Sequence, residues 1–121
     1  MKNIIVTNNP MVHTNYAGHD DIIYLENFAY LDVLKAVRDK IHFGHSLLTH
    51  PLSGSVKPGE TPYKTVVLTG TRNGLDLDSL TLIEDGIMTA YKLIGRKKQR
   101  NWTERVLLDF QMIDYSLIFS K

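Results

Sequence analysis

The residues that could do chemistry in this sequence are concentrated in an irregular stretch near its middle, residues 49–63. Ser53, Gly54 and Ser55 offer two hydroxyl groups and several backbone amides, and Lys57 adds a positive charge nearby. Hydroxyls, turn amides and a lysine can together hold a carboxylate or a phosphate. A Ser-Gly-Ser string is also common in plain turns, in which case Lys57 would simply face the solvent. The sequence alone leaves both interpretations open.

His50 is the one residue of this stretch that could act as a general acid or base. It stands between Thr49 and Pro51, and an unperturbed imidazole titrates near neutral pH. The alternative is a histidine whose ring nitrogens are held by hydrogen bonds within the loop. Because no activated nucleophile can be recognised, catalytic residues stay unassigned and a non-catalytic binding loop is preferred. The competing hypothesis is a small enzyme that acts on a carboxylate or phosphate substrate through His50.

A metal site is not expected from the histidines. His42, His45 and His50 lie close in sequence, but they lack the i, i+4 spacing and the neighbouring glutamate of a helical zinc site. The chain has no cysteine, which excludes thiolate ligands and disulfide bonds. We therefore expect neither a metal nor another cofactor.

Four short apolar runs predict the strands that would position these residues. They cover residues 4–6, 22–25, 46–49 and 65–69. The runs alternate with helical patterns, which is typical of a layered α/β fold with a mostly parallel sheet. A chain of 121 residues is the size of one domain. The sequence thus predicts a single α/β domain over residues 1–121, with a mostly parallel four-stranded sheet and helices on its faces.

Helices are predicted by apolar residues three and four apart. The first long stripe consists of Phe28, Leu31, Leu34, Val37 and Ile41, and the helix is expected to end at Gly44. A second consists of Leu80, Ile83, Ile87, Tyr91 and Ile94, with Asp76 or Asp78 as the cap. A third consists of Trp102, Val106, Phe110, Ile113 and Leu117, with Asn101 as the cap. Asn9 is expected to cap a short helix that starts at Pro10. The last helix carries more apolar residues than one buried face needs, so it is either covered on both sides or forms a homodimer interface.

The predicted parallel strands also predict where a ligand would bind. Ligands of such sheets lie at the carboxyl ends of the strands. We expect the segments after the first and third strands to meet there, with Tyr63 packed beneath an ordered loop stiffened by three prolines. The candidate ligand-binding residues are Asn8, Asn9, Thr49, His50, Ser53, Gly54, Ser55, Lys57 and Tyr63.

Charge and hydropathy limit the classes of partner. The formal net charge is +1 and 22% of the residues are charged, so no global field attracts nucleic acid or an anionic membrane. No apolar run approaches the length of a membrane helix or a signal peptide. The basic residues at 96–100 follow a helix end and are interpreted as a solvated connection. We expect a cytoplasmic protein that binds neither nucleic acid nor membrane.

Several segments together resemble a known family. "VTNNPMV", "YLDVLKAVRDKIHFGHSLLTHPLSGSVKPGETPYKTVVL", "LDLDSLTLIEDGI" and "NWTERVLLDFQMIDYSLI" are similar to the GrdX family, and "LTHPLSGSVKPxETPYK" is the most specific part. These small proteins are encoded beside the glycine, sarcosine and betaine reductase genes of amino-acid-fermenting anaerobic bacteria. The resemblance implies a cytoplasmic accessory role, a reductase-system protein as partner and no assigned reaction. A ligand such as glycine, betaine or acetyl phosphate would suit that context.

Overall fold

The computed structural model describes residues 2–16, 18, 21–27, 29–52, 57–96 and 102–119. Its elements are, in chain order, β1 (Ile4–Thr7), α1 (Pro10–Tyr16), β2 (Asp21–Tyr24), α2 (Tyr30–His42), β3 (Thr65–Leu68), α3 (Leu77–Arg96) and α4 (Glu104–Phe119). Strands and helices alternate over the first half, as the apolar runs predicted. In the described part of the chain, no helix has the length and apolar character needed to cross a membrane.

The sheet has three strands in the order β2-β1-β3. β1 and β2 are parallel, with Ile5 opposite Ile22. β1 and β3 are antiparallel, with Val6 opposite Val66. The predicted four-stranded, mostly parallel sheet is therefore wrong in strand number and in direction, whereas the α/β class is consistent with the structure.

The segment 46–49, which was predicted to be a strand, makes only an isolated antiparallel bridge between Leu47 and Leu68. Its backbone amides at Leu48 and Thr49 both donate to the Val67 carbonyl, at 2.9 and 3.3 Å. The Val67 amide in turn donates to the Thr49 hydroxyl at 3.0 Å rather than to a backbone carbonyl. Because a threonine side chain takes the place of a ladder partner, regular pairing does not extend and no fourth strand forms.

Helix α2 packs on one face of the sheet and α3 packs against α2, and together with the strands they form an apolar core. The buried members of this core are Ile4, Val6, Tyr30, Val33, Leu34, Val37, Ile41, Val66, Leu68, Ile83 and Ala90. The predicted α2 stripe is confirmed at Leu34, Val37 and Ile41, whereas Phe28 lies outside the described residues. In α3, Tyr91 is 71% exposed, so its predicted place in the core is wrong, and Ala90 occupies the buried position.

Two of the predicted helix boundaries are confirmed by their hydrogen bonds. Gly44 follows α2 with φ of 103°, and its amide donates to the Ile41 carbonyl at 2.9 Å. This left-handed conformation favours glycine and closes the helix end. At the start of α3, the Asp76 carboxylate accepts from the Asp78 amide at 3.2 Å and from the Ser79 hydroxyl at 2.7 Å.

Helices α1 and α4 pack together on the opposite side of the sheet. α4 begins at Glu104, and the Thr103 hydroxyl accepts from the Val106 amide at 3.3 Å; the predicted cap, Asn101, lies outside the described residues. The predicted apolar stripe of α4 is wrong, because Val106 is 37% and Ile113 38% exposed. The helix instead buries Asp114, so its inward face contains a polar residue that hydrophobic periodicity could not indicate.

Candidate functional site: a cavity at the carboxyl ends of β1 and β2

An open cavity of about 400 Å³ lies where the parallel strands β1 and β2 end. It is lined by Asn8, Pro10, Tyr24, Glu26, Asn27, Pro62, Tyr63 and Leu107. Asn8 and Pro10 follow β1, whereas Tyr24 ends β2 and Glu26 and Asn27 follow it. Pro62 and Tyr63 precede β3, and Leu107 belongs to α4. The carboxyl ends of parallel strands are the usual place for ligands in open α/β sheets. The cavity is therefore the candidate ligand site of the described chain.

Asn8 holds two walls of this cavity together. Its side-chain amide donates to the Pro62 carbonyl at 2.8 Å, and its side-chain oxygen accepts from the Lys64 amide at 2.9 Å. The backbone amide of Asn8 also donates to the Lys64 carbonyl at 3.4 Å. These bonds extend the β1–β3 pairing past the end of both strands and fix the segment that carries Pro62 and Tyr63.

Two tyrosines and a glutamate give the cavity its chemical character. The Tyr24 ring stacks on His13 with centroids 4.2 Å apart, and the Tyr63 hydroxyl accepts from the Gln111 side-chain amide at 2.9 Å. Burial, followed by the negative charge of Glu26 and the proximity of Tyr63, raises the pKa of Tyr24. Two phenol rings and a carboxylate thus lie together at the lining of one cavity.

The loop beside Glu26 carries local backbone strain. Asn27 has φ of 62°, the left-handed conformation that most residues with a side chain avoid. Asparagine tolerates this conformation better than other such residues, and strained positions of this kind cluster at ligand-binding sites. The strained turn places Glu26 and Asn27 at the cavity lining.

A buried polar network lies next to the cavity, beneath α4. The Thr65 hydroxyl donates to the Asp114 carboxylate at 2.6 Å. Because the Thr65 hydroxyl proton is used in that bond, the Thr7 hydroxyl donates to the Thr65 oxygen at 2.7 Å. The Thr7 oxygen in turn accepts from the backbone amide of Asn9 at 3.0 Å. The Asn9 side-chain amide donates to the same Asp114 oxygen at 2.9 Å. The network joins β1, β3 and α4 through directional bonds.

Lys64 and Asp114 are ionisable groups buried in this region. Burial lowers the pKa of Lys64 from its usual 10.5 to about 8, although the charge of Asp114 acts in the opposite direction. Burial likewise raises the pKa of Asp114, against the hydrogen bonds from Thr65 and Asn9 and the charge of Lys64. The Lys64 ammonium lies over the Tyr30 ring, 6.0 Å from its centroid. Lys64 is 3% and Asp114 8% exposed, so this pair supports the site from within.

The structure brings two of the predicted site residues, Asn8 and Tyr63, to the cavity. Asn9 is adjacent but fully buried. Its two amide hydrogens go to the Gln111 carbonyl at 3.0 Å and to Asp114. Its side-chain oxygen accepts from the Met11 amide at 3.0 Å, which confirms Asn9 as the cap of α1.

The remaining predicted residues are not among those lining the described cavity. Thr49 lies beside β3, bonded to Val67. His50 is exposed, and its Nδ1 accepts from the Leu52 amide at 3.0 Å. Lys57 is exposed, in a turn where the Glu60 amide donates to its carbonyl at 2.9 Å. Ser53, Gly54 and Ser55 lie outside the described residues, so the role of the 49–63 loop in binding stays a prediction.

Sequence reasoning missed the residues that give the site its character. Tyr24 and Glu26 could not be recognised as site residues, because Tyr24 belongs to an apolar run and Glu26 only follows it. Thr7 and Thr65 end and begin apolar strands, and Asp114 interrupts the apolar run "MIDYSLIF"; a lone carboxylate in such a run is a signal for a buried polar contact. Among the described residues, no three histidine, aspartate or glutamate side chains are grouped so that they could hold a metal ion.

Comparison with known proteins agrees with the resemblance seen in the motifs. The sequence profile of the GrdX-like protein family matches residues 4–121, nearly the whole chain. No curated protein shows significant similarity to the chain, and no solved structure does. The chain belongs to the family of GrdX-like proteins.

Proposed function

We propose that this protein is a cytoplasmic accessory protein of a glycine, sarcosine or betaine reductase system, and that it holds a small molecule in the cavity beside Asn8 and Tyr63. Family membership supports the reductase context. The observation that carries the binding function is the open cavity of about 400 Å³ at the carboxyl ends of β1 and β2. Its position follows the general rule for ligand sites in open α/β sheets.

Binding without turnover is favoured by the way in which the polar side chains are used. The Asn8 side chain bonds the backbone on both sides of Tyr63. The His50 ring accepts from the backbone of its own loop, as expected for a histidine that stabilises a turn. The two Asn8 bonds preorganise the cavity wall that carries Tyr63, which lowers the entropic cost of binding.

The direct test is a binding screen by calorimetry and thermal shift with glycine, sarcosine, betaine and acetyl phosphate. A ligand at about a hundredfold excess over its Kd should stabilise the protein by about 2.7 kcal/mol. Leu107→Trp should weaken this stabilisation, because Leu107 lines the cavity and the larger indole would occupy part of it. Leu108→Trp is the matched control, since its neighbour Leu108 is 49% exposed and is not among the residues that line this cavity.

Two results would contradict the proposal. Equal ligand shifts in Leu107→Trp and the wild type would place the ligand elsewhere. Turnover of one of these compounds by the purified protein, lost in His50→Ala, would establish the enzymatic alternative. A reductase-system protein as partner is a separate part of the proposal, which co-purification from cells that express the reductase would test.

A further inference from the structure

The charge of the cavity lining is the starting point for assigning a ligand class. Among the eight residues that line the described cavity, Glu26 alone carries a formal charge. The other lining groups are two phenol rings, two side-chain amides and three apolar side chains. Glu26 therefore supplies the only formal charge among the described residues that line this cavity.

The groups that an anion would need are committed to the protein itself. Asn9 donates both of its side-chain hydrogens within the fold, and the Asn8 side-chain amide donates to the Pro62 carbonyl. Lys64, the nearest buried cation along the chain, lies over Tyr30 and is 3% exposed. The cavity thus lacks the charge-assisted donors with which proteins usually bind carboxylate or phosphate.

The same lining suits a positive charge. The ammonium group of a ligand is attracted to the face of an aromatic ring by the quadrupole of the ring, and methylated ammonium ions are commonly held between such rings. Tyr63 is fixed by its bond from Gln111, and Tyr24 by its stack on His13. Glu26 adds a carboxylate at the same lining. Its negative charge reaches Tyr24, since it contributes to raising the pKa of that phenol.

We infer that the cavity formed by Tyr24, Glu26 and Tyr63 binds an organic ammonium ion, such as the methylated ammonium group of a small ligand. The inference rests on the proposed function, because it takes the cavity as the ligand site. Tyr24 and Tyr63 hold the cation against their rings, Glu26 supplies the balancing charge, and Leu107 and the prolines offer apolar contacts to the methyl groups.

The test separates charge from shape by using two probes of the same size. Choline carries a trimethylammonium group, and 3,3-dimethylbutan-1-ol is its neutral isostere. Calorimetry at low ionic strength should show choline binding about five- to tenfold more tightly than the alcohol, as one carboxylate and two half-buried rings would supply. Glu26→Gln should remove most of this preference and leave the binding of the alcohol unchanged. Glu84→Gln on α3, remote from the cavity, is the matched control and should leave both affinities unchanged.

Each opposing result identifies what has failed. Equal affinities for choline and the alcohol would overturn the charge assignment while leaving the cavity as a binding site. Tighter binding of acetate or inorganic phosphate than of choline would overturn it in favour of an anion. Loss of the choline preference in Glu84→Gln but not in Glu26→Gln would overturn the role of Glu26. If neither probe binds, the ammonium inference falls, and the separate reductase-metabolite screen with Leu107→Trp decides whether the cavity function stands.

Discussion

The two faces of the small sheet differ in the polar side chains that they bury. On one face, Ile4, Val6, Val66 and Leu68 pack against α2 and α3 in an apolar core. On the other, Thr7 and Thr65 are bonded to each other beneath α4. Alternate residues of a strand point to opposite faces, so the same two strands, β1 and β3, serve both. Burial of apolar surface is tolerant of side-chain detail, whereas the hydrogen-bonded face requires particular donors and acceptors.

The polar face also supports the cavity. Leu107, Gln111 and Asp114 lie at spacings of four and three along α4, so they share one side of the helix. Leu107 lines the cavity, Gln111 bonds to Tyr63, and Asp114 joins the buried network. A change that releases Asp114 should therefore disturb the ligand site as well as the stability. Mutations on each face test this difference.

Asp114→Ala should have the largest effect, a loss of about 4 kcal/mol in the free energy of unfolding. It would leave the Asn9 and Thr65 donors without their acceptor and remove the partner charge of the buried Lys64. Urea denaturation followed by circular dichroism measures the loss. Asp109→Ala, at an exposed position of the same helix, should change stability by less than about 0.5 kcal/mol. Similar losses in the two variants would refute the structural role of the network.

Leu34→Ala tests the apolar face and should cost about 3 kcal/mol, because Leu34 is fully buried and the substitution leaves a void. The loss should be the same at pH 6 and pH 9, since no titratable group is removed. Ligand binding at the cavity should be retained under folding conditions. A loss in Leu34→Ala that differed between pH 6 and pH 9 would show that the two faces are not independent.

The pH dependence of stability between pH 8 and 10 should come from Lys64, which precedes β3 and lies over the Tyr30 ring of α2. Lys64 has a pKa of about 8 in the folded chain, compared with its usual 10.5, so the unfolded chain binds more protons between these values. Stability should therefore rise as the pH increases from 8 to 10, by about 2 kcal/mol. The raised pKa of Tyr30 acts in the opposite direction only near and above pH 10. Urea denaturation at several pH values measures the rise.

Lys64→Met should abolish this rise, because the buried side chain would no longer carry a group that titrates. Lys92→Met, at an exposed position of α3, should retain it. A flat profile between pH 8 and 10 in the wild type would contradict the lowered pKa of Lys64.

The smallest effect on stability is expected for Met112→Lys. Met112 is 52% exposed on α4, so the free energy of unfolding of the monomer should change by less than about 0.5 kcal/mol. If α4 forms a homodimer, which is one of the two alternatives that its apolar residues leave open, the variant should dissociate, because a charge would enter the apolar interface. Analytical ultracentrifugation of the wild type and the variant measures this. Met88→Lys on α3, where Met88 is 59% exposed, serves as the control, and a monomeric wild type would exclude the dimer.

The sequence by itself determined what depends on neighbouring residues. The apolar spacing of Leu34, Val37 and Ile41 and the glycine at position 44 predicted α2 and its end, and Asp76 predicted the start of α3. Local patterns suffice there because a helix makes its bonds within four residues. The motif near "THPLSGSVKP" likewise identified the family.

Only the tertiary structure decided the direction of β3 and the composition of the site. The direction of a strand depends on a partner far along the chain, and the apolar run 65–69 looks the same whether it pairs in a parallel or an antiparallel manner. Asp114 meets Thr65 across 49 positions and Asn9 across 105. Such contacts leave no period in the sequence, because each hydrogen bond is specified by three-dimensional geometry rather than by spacing.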